Sequence, residues 1–295
     1  MKRKDGVQGM SVPFVCALEK DRVIRGDYFP AKAETLANVI ICHGYKGFKD
    51  WGFFPHAAER ISEAAHVITF NFSHNGVGER MDEFSELDKF ATNTYTKELE
   101  DLDTLVRLVQ EGALPVDPAV YDAPRSAKLP LILLGHSRGG GVSLVEAFDH
   151  PERIAGVISW NGVTNLDLFS ENEKEEMRTR GRTYVMNART KQQMPLDAVI
   201  LEDLVANRER YDIIGRAPSC PVPIALIQGT EDHDKLRKGS ERLLGVQPET
   251  LYIPIQGGDH TFKARHPFQG ETEPLRAAIE ASLNVIRQFA GDMSK

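Results

Sequence analysis

One pattern recurs along this chain and narrows what it can fold into: a short, unbroken apolar run that stops at a glycine. It appears as "NVIICHG" (38–44), "LPLILLG" (129–135), "IAGVISWNG" (154–162), "VPIALIQG" (222–229) and "ETLYIPIQGG" (249–258). A strand with one wet face alternates apolar and polar residues. A strand covered on both faces need not, and reads as continuous Val, Ile and Leu. Segments of helical spacing lie between these runs, among them "FFPHAAERISEAA", "YTKELEDLDTLVRLVQEG" (95–112), "RGGGVSLVEAF" and "PLRAAIEASLNVIRQFAGDM" (274–293). In the second of these, Leu99, Leu102, Val106 and Val109 line one face and Gly112 supplies a stop. "HVITFNF" (66–72) reads as a further strand, and "VPFVCAL" with "RVIRGDYFPA" as an opening hairpin. Such alternation predicts an α/β fold: a mostly parallel, doubly wound sheet covered by helices on both faces.

Residues 163–217 break the alternation. They hold many charges, no clear strand run and helix-like pieces such as "DAVILEDLVANRERYDII". A long insertion between two sheet strands is usually functional or a small subdomain. The expected organisation is therefore a core of 1–162 and 218–295, with a helical cap, 163–217, inserted after the sixth strand. Open α/β sheets place their sites at the carboxyl ends of the strands, and the cap is expected to cover that edge.

The chemistry begins at Gly135-His136-Ser137-Arg138-Gly139, a G-x-S-x-G sequence between a strand and a helix. There a serine can sit on a strained turn with its hydroxyl exposed, while side chains at 135 and 139 would collide with the neighbouring elements. A serine hydroxyl needs a base to act as a nucleophile. In this architecture an acid and then a histidine follow the serine, each from a strand end. "IALIQGTEDHD" offers Asp232 and Asp234, and "YIPIQGGDHTF" offers His260. Acyl transfer also needs two donors for the developing oxyanion. The backbone N–H of Arg138 supplies one, and that of Tyr45, in "HGYKGFKDWGF" (43–53), supplies the other.

The elbow, the HG loop, the "GTED" and "GGDH" strand ends and their order resemble the α/β-hydrolase superfamily from about residue 12 to 290. "HGYKGFKDWGFFPHAAERI" and "GHSRGG" are similar to bacterial cinnamoyl/feruloyl esterase-like and dienelactone-hydrolase-like proteins. Catalytic domains of prolyl-oligopeptidase-type peptidases are also similar, but there is no room here for their propeller. This chain has Arg138 where such feruloyl esterases commonly have Gln, and Ser137 where dienelactone hydrolases proper use Cys. In the resembling family the acid stands three residues after the strand-ending glycine, here Gly229, which implies Asp232. The resemblance thus implies an α/β-hydrolase sheet and a serine carboxylesterase acting on small acyl or cinnamoyl-type esters, with Ser137, Asp232 and His260 as the triad and no cofactor.

A small peptidase or amidase uses the same triad and stays open. Glu79, Glu83 and Glu86 are its candidate anchors for a substrate amine. A non-catalytic ligand binder on the same fold is the alternative of another class. In the expected cap, residues 177–194 carry Arg178, Arg180, Arg182, Arg189 and Lys191 without Asp or Glu. This stretch is either a solvated basic face or a substrate contact, with Tyr184 and Met186 lining an acyl pocket and Arg182 meeting a substrate oxygen. The formal charge of -7 argues against nucleic acid as a partner. Cys16, Cys42 and Cys220 show no metal-ligand spacing. With no apolar leader and no run long enough to span a bilayer, the expectation is a soluble cytoplasmic enzyme whose partner is a small-molecule ester, its oligomeric state left open with a homodimer among the options.

Overall fold

The computed structural model describes residues 11–292 apart from 20, 34, 81–82 and 188–189. In chain order the elements are β1 (Val12–Ala17), β2 (Val23–Phe29), β3 (Ala37–Cys42), α1 (Phe54–Ile61), β4 (Ala65–Asn71), α2 (Leu87–Ala91), α3 (Tyr95–Gln110), α4 (Ala123–Ser126), β5 (Leu131–His136), α5 (Arg138–Asp149) and β6 (Gly156–Trp160). They continue with α6 (Glu171–Arg180), β7 (Arg182–Met186), β8 (Gln193–Asp197), α7 (Val199–Ala206), α8 (Ile213–Arg216), β9 (Ile224–Gly229), α9 (Asp234–Val246), β10 (Leu251–Ile255) and α10 (Glu273–Asp292).

Eight strands form one sheet in the order β1-β2-β4-β3-β5-β6-β9-β10. β2 is antiparallel to β1 and to β4, and the strands from β4 to β10 run parallel. Four of the five apolar runs are strands buried on both faces, β3, β5, β6 and β9, while the fifth, β10, lies at the sheet edge, where Tyr252 and Pro254 are exposed. In β5, Leu131 and Leu133 pack into one core and Ile132 and Leu134 into the other, the two-residue period of a pleated strand. Helices α3, α5, α8 and α9 contribute to the first core, and α1 and α10 to the second. The sheet is thus mostly parallel with helices on both faces, as the alternation requires. No described helix is long and apolar enough to cross a membrane.

Helix α9 is not announced by apolar spacing, because only Gly239, Ser240 and Leu243 of it are buried. The insertion between β6 and β9 also differs from the all-helical expectation. It holds α6, α7 and α8, but also the antiparallel hairpin β7–β8, in which Thr183 faces Leu196 and Tyr184 faces Pro195. Capping explains where α6 stops and the hairpin starts. Ser170 and Glu173 form a reciprocal capping box at the start of α6, and Gly181 closes it with φ 76°. A third apolar cluster joins the insertion to the core's loops. Met177, Met194, Leu196 and Ile200 pack against Phe48, Phe84 and Phe90.

Candidate active site

Ser137 stands between the end of β5 and the start of α5 with φ 56° and ψ −120°, a backbone conformation that L-residues rarely adopt. The turn is held from both sides. The Ser137 N–H donates to the Trp160 carbonyl at 2.9 Å, and its own carbonyl accepts from the N–H groups of Gly140 and Val163, each at 3.0 Å. The neighbouring glycines follow from close backbone approach. A Cβ on Gly135 would lie 2.2 Å from the Gly139 carbonyl oxygen, and one on Gly139 would lie 2.3 Å from that of Cys42.

The three residues singled out from the strand ends meet. His260 Nε2 lies 3.0 Å from Ser137 Oγ, and His260 Nδ1 lies 2.9 Å from Asp232 Oδ1. Asp232 is buried and also accepts from the His233 N–H and from the Gln228 amide, both at 2.7 Å. Burial alone would raise its pKa. The hydrogen bond and charge of His260, with the other two donors, outweigh that and hold it below the usual aspartate range. An ionised Asp232 can only accept, so Nδ1 of His260 carries the proton and Nε2 presents its lone pair to the serine hydroxyl. In this arrangement an imidazole can take a hydroxyl proton. Asp234 stands apart: it is exposed in the first turn of α9 and is paired with Arg237.

Two further side chains, not marked by the sequence patterns, set this geometry. Asn161, buried with φ 47°, donates to the carbonyls of Asp259 (3.1 Å) and His260 (3.0 Å). Its own carbonyl accepts from the Gly229 N–H (2.8 Å) and from Gln228 (2.9 Å), the residue that also holds Asp232. His136 Nε2 lies 2.8 Å from the His260 carbonyl, which can only accept, so this nitrogen carries the proton. Burial and the nearby His260 pull the His136 pKa down to about 3, so it stays neutral.

Arg138 is the first residue of α5, where a backbone N–H has no intrahelical acceptor. The Tyr45 N–H likewise has no acceptor among the described residues. The side chain of Arg138 is buried, donates to Glu98 at 2.9 Å and lies 4.0 Å from the centroid of the Tyr95 ring. It also lies 5.5 Å from the Tyr45 ring, which stacks on Phe90. Burial works against its charge, but Glu98 outweighs it and keeps the guanidinium protonated. The ion pair thus sits beneath the loop that carries Tyr45. Arg138→Met leaves Glu98 buried without its cation and is expected to cost ~3–5 kcal/mol, read from urea unfolding.

A cavity of about 180 Å³ opens at Ser137, lined by Gly44, Tyr45, Lys46, Trp51, Phe54 and His260, among others. Tyr184, Met186 and Arg182 do not line it, which corrects the expected acyl pocket. The hairpin pleat is the reason: Thr183 is buried, and Tyr184 and Met186 alternate to the outside, 55% and 47% exposed. Arg182 is turned to Asp197 across the hairpin, at 2.5 and 3.0 Å. Arg178 and Arg180 lie on the solvent side of α6 near Glu175 and Glu176, and Arg189 lies outside the described residues. Glu83 and Glu86 are paired with Arg80 and Lys89, and Glu79 is exposed.

Among the described residues, metal-binding residue types cluster in two places. Asp232, His233 and His260 bring ligand atoms within 4.8 Å of one another, but Asp232 and His260 already engage each other. Asp103, Glu146 and His150 do the same between α3 and α5, where Arg107 and Arg153 already neutralise Asp103 at 3.1 and 2.7 Å. Cys16, Cys42 and Cys220 are free thiols.

No family model and no curated protein sequence matches the chain. Solved structures do. A soluble variant of monoglyceride lipase from Saccharomyces cerevisiae, in complex with a substrate analogue, is 14% identical at a TM-score of 0.67, over 98% of this chain and 99% of that one. Est1E from Butyrivibrio proteoclasticus is 13% identical at 0.65, over 97% and 100%. Dienelactone hydrolase from Anabaena variabilis is 14% identical at 0.60, over 95% and 98%. Identities this low speak for architecture alone, and sheet order, elbow and neighbours agree that the architecture is the α/β-hydrolase fold.

Proposed function

We propose that this protein is a serine hydrolase that cleaves carboxylic esters through an acyl-enzyme. The observation that carries this reading is the continuous Ser137–His260–Asp232 hydrogen-bond chain at the edge of a cavity. Ser137 Oγ attacks the ester carbonyl carbon as His260 Nε2 takes its proton. The oxyanion is held by the N–H groups of Arg138 and Tyr45. The ester C–O bond breaks, and the alcohol leaves with the proton from His260. Water, deprotonated by the same nitrogen, then attacks the acyl group and frees the acid and the serine. Asp232 keeps the imidazole in the right tautomer and stabilises the imidazolium.

The cavity supports a substrate class. At about 180 Å³ it is well below the ~300–1,000 Å³ typical of drug-sized ligand sites, so the bound group is a short acyl chain or a single ring. Tyr45, Trp51 and Phe54 give it aromatic walls. The described lining includes no carboxylate to hold a substrate amine, which favours esters over aminoacyl amides. The solved structures that share the fold include a monoglyceride lipase and a dienelactone hydrolase by name. Residues 163–217 act as the lid, because α6, β8 and α7 pack on the loops around Phe48, Phe84 and Phe90. The test is a panel of 4-nitrophenyl esters of increasing acyl length beside aminoacyl 4-nitroanilides. Turnover is expected to be highest for two- to four-carbon acyl groups. Hydrolysis of the anilides with inert esters would transfer the reading to a peptidase.

A further inference from the structure

The cations around the site are nearly all spent on partners. Arg138 is committed to Glu98, Arg182 to Asp197, Lys49 to Asp27 and Asp50, and Lys263 to Glu231. Lys46 is the exception. It lines the Ser137 cavity directly after Tyr45, and among the described residues it has no carboxylate within ion-pair distance. Among the described residues its Nζ donates only to the Met186 carbonyl, at 3.2 Å, and lies 5.3 Å from the centre of the Tyr45 ring. Glu173 is the acid whose charge acts on it, but that carboxylate is turned to the Ser170 N–H and hydroxyl in the capping box.

The backbone adds a second observation. Lys46 has φ 55°, a left-handed conformation that costs a non-glycine residue energy. Glycine would relieve this strain, yet the chain places a long cation there. The group is half-buried, and burial pulls its pKa below the usual lysine range while Glu173 partly opposes this. The side chain is half-buried but the bond of its ammonium to the Met186 carbonyl is solvent-exposed, so a ligand anion at the cavity mouth can pair with it in place of water.

We propose that Lys46 binds a carboxylate carried by the substrate, so that the preferred esters are those of anionic small molecules. This rests on the ester-hydrolase reading and names its substrate class. The carboxylate stands on the acyl part or on the alcohol part, and the ammonium meets it at the cavity mouth, exchanging or sharing its bond to the Met186 carbonyl.

The experiment compares kcat/KM for two matched pairs. The 4-nitrophenyl esters of butanoic acid and of succinic acid differ by a terminal methyl or carboxylate on the acyl side. Phenyl acetate and 4-carboxyphenyl acetate differ on the alcohol side. Each pair is run with the wild type, Lys46→Met and Lys46→Arg, with circular dichroism to check folding. In at least one pair the anionic-to-neutral ratio is expected to fall about tenfold in Lys46→Met, equivalent to ~1.4 kcal/mol. Lys46→Arg, which keeps the charge, is expected to retain most of it, and this rescue separates charge recognition from a packing defect. Which pair responds tells which side carries the anion. A ratio that moves less than twofold in both pairs, with both still hydrolysed, overturns the role of Lys46 and leaves the hydrolase standing. Failure of the wild type to cleave any of the four esters removes both readings together.

Discussion

Ser137→Ala is expected to lower kcat on small esters by about 10⁵–10⁶-fold and to abolish covalent labelling by a fluorophosphonate, while the protein remains folded. The kinetic half follows from chemistry: no other hydroxyl stands against His260 Nε2 among the hydrogen bonds of the described residues. The folding half follows from the turn. Every bond that fixes the turn at position 137 is made by its backbone, to Trp160, Gly140 and Val163, and alanine keeps them all. The unusual φ is equally awkward for serine and alanine, so the stability change stays within about 1 kcal/mol. Mass spectrometry of the labelled protein and a urea melt check the two halves separately. Substantial turnover by folded Ser137→Ala would remove the serine from the mechanism.

Asp232→Asn is expected to cost about 10⁴ in kcat, and Asp234→Asn less than about threefold. The contrast rests on where two acids two residues apart point. Asp232 takes three hydrogen bonds in a buried site, one of them from His260. An asparagine there brings an NH₂ group among donors, and the imidazole loses the acceptor that fixes its tautomer. Asp234 faces solvent on α9, and its partner Arg237 is itself partly exposed. Steady-state kinetics of the two variants, side by side, decide the assignment. The reverse ranking would transfer the role to Asp234.

What could be read ahead of the structure follows from the range of each interaction. Strands β3, β4, β5, β6 and β9 were legible because burial on both faces writes itself into consecutive residues, as in "LILL" of β5. The elbow was legible in part because Gly135 answers a contact with Gly139, only four residues away, whereas Gly139 answers the distant Cys42 carbonyl. The order of the candidate triad could be read because each candidate follows a strand end, and the three residues meet. The hairpin β7–β8 was hidden because it is only five residues a side, has no continuous apolar run, and was read against a helical background. Arg138 disclosed only its main-chain role. Its side chain is explained by Glu98, 40 residues earlier on a helix whose charges look solvated in a linear reading. Asn161 gave no signal beyond an asparagine after a strand, since the carbonyls it holds lie 98 and 99 residues on.

That asparagine also bears on how such a molecule can change. One amide ties the histidine loop to the end of β9, and through Gln228 to the acid, so base and acid are displaced together or not at all. The residues that shape the cavity mouth, Tyr45 and Lys46, belong to a different loop and are not among the Asn161 contacts. Under the proposed mechanism, side-chain changes at the mouth can therefore rework what is bound as long as the loop backbone keeps the Tyr45 N–H in place. In a laboratory evolution campaign, libraries at the mouth and in the insertion would keep a high share of active clones, while changes at position 161 would be purged whatever substrate was used for selection.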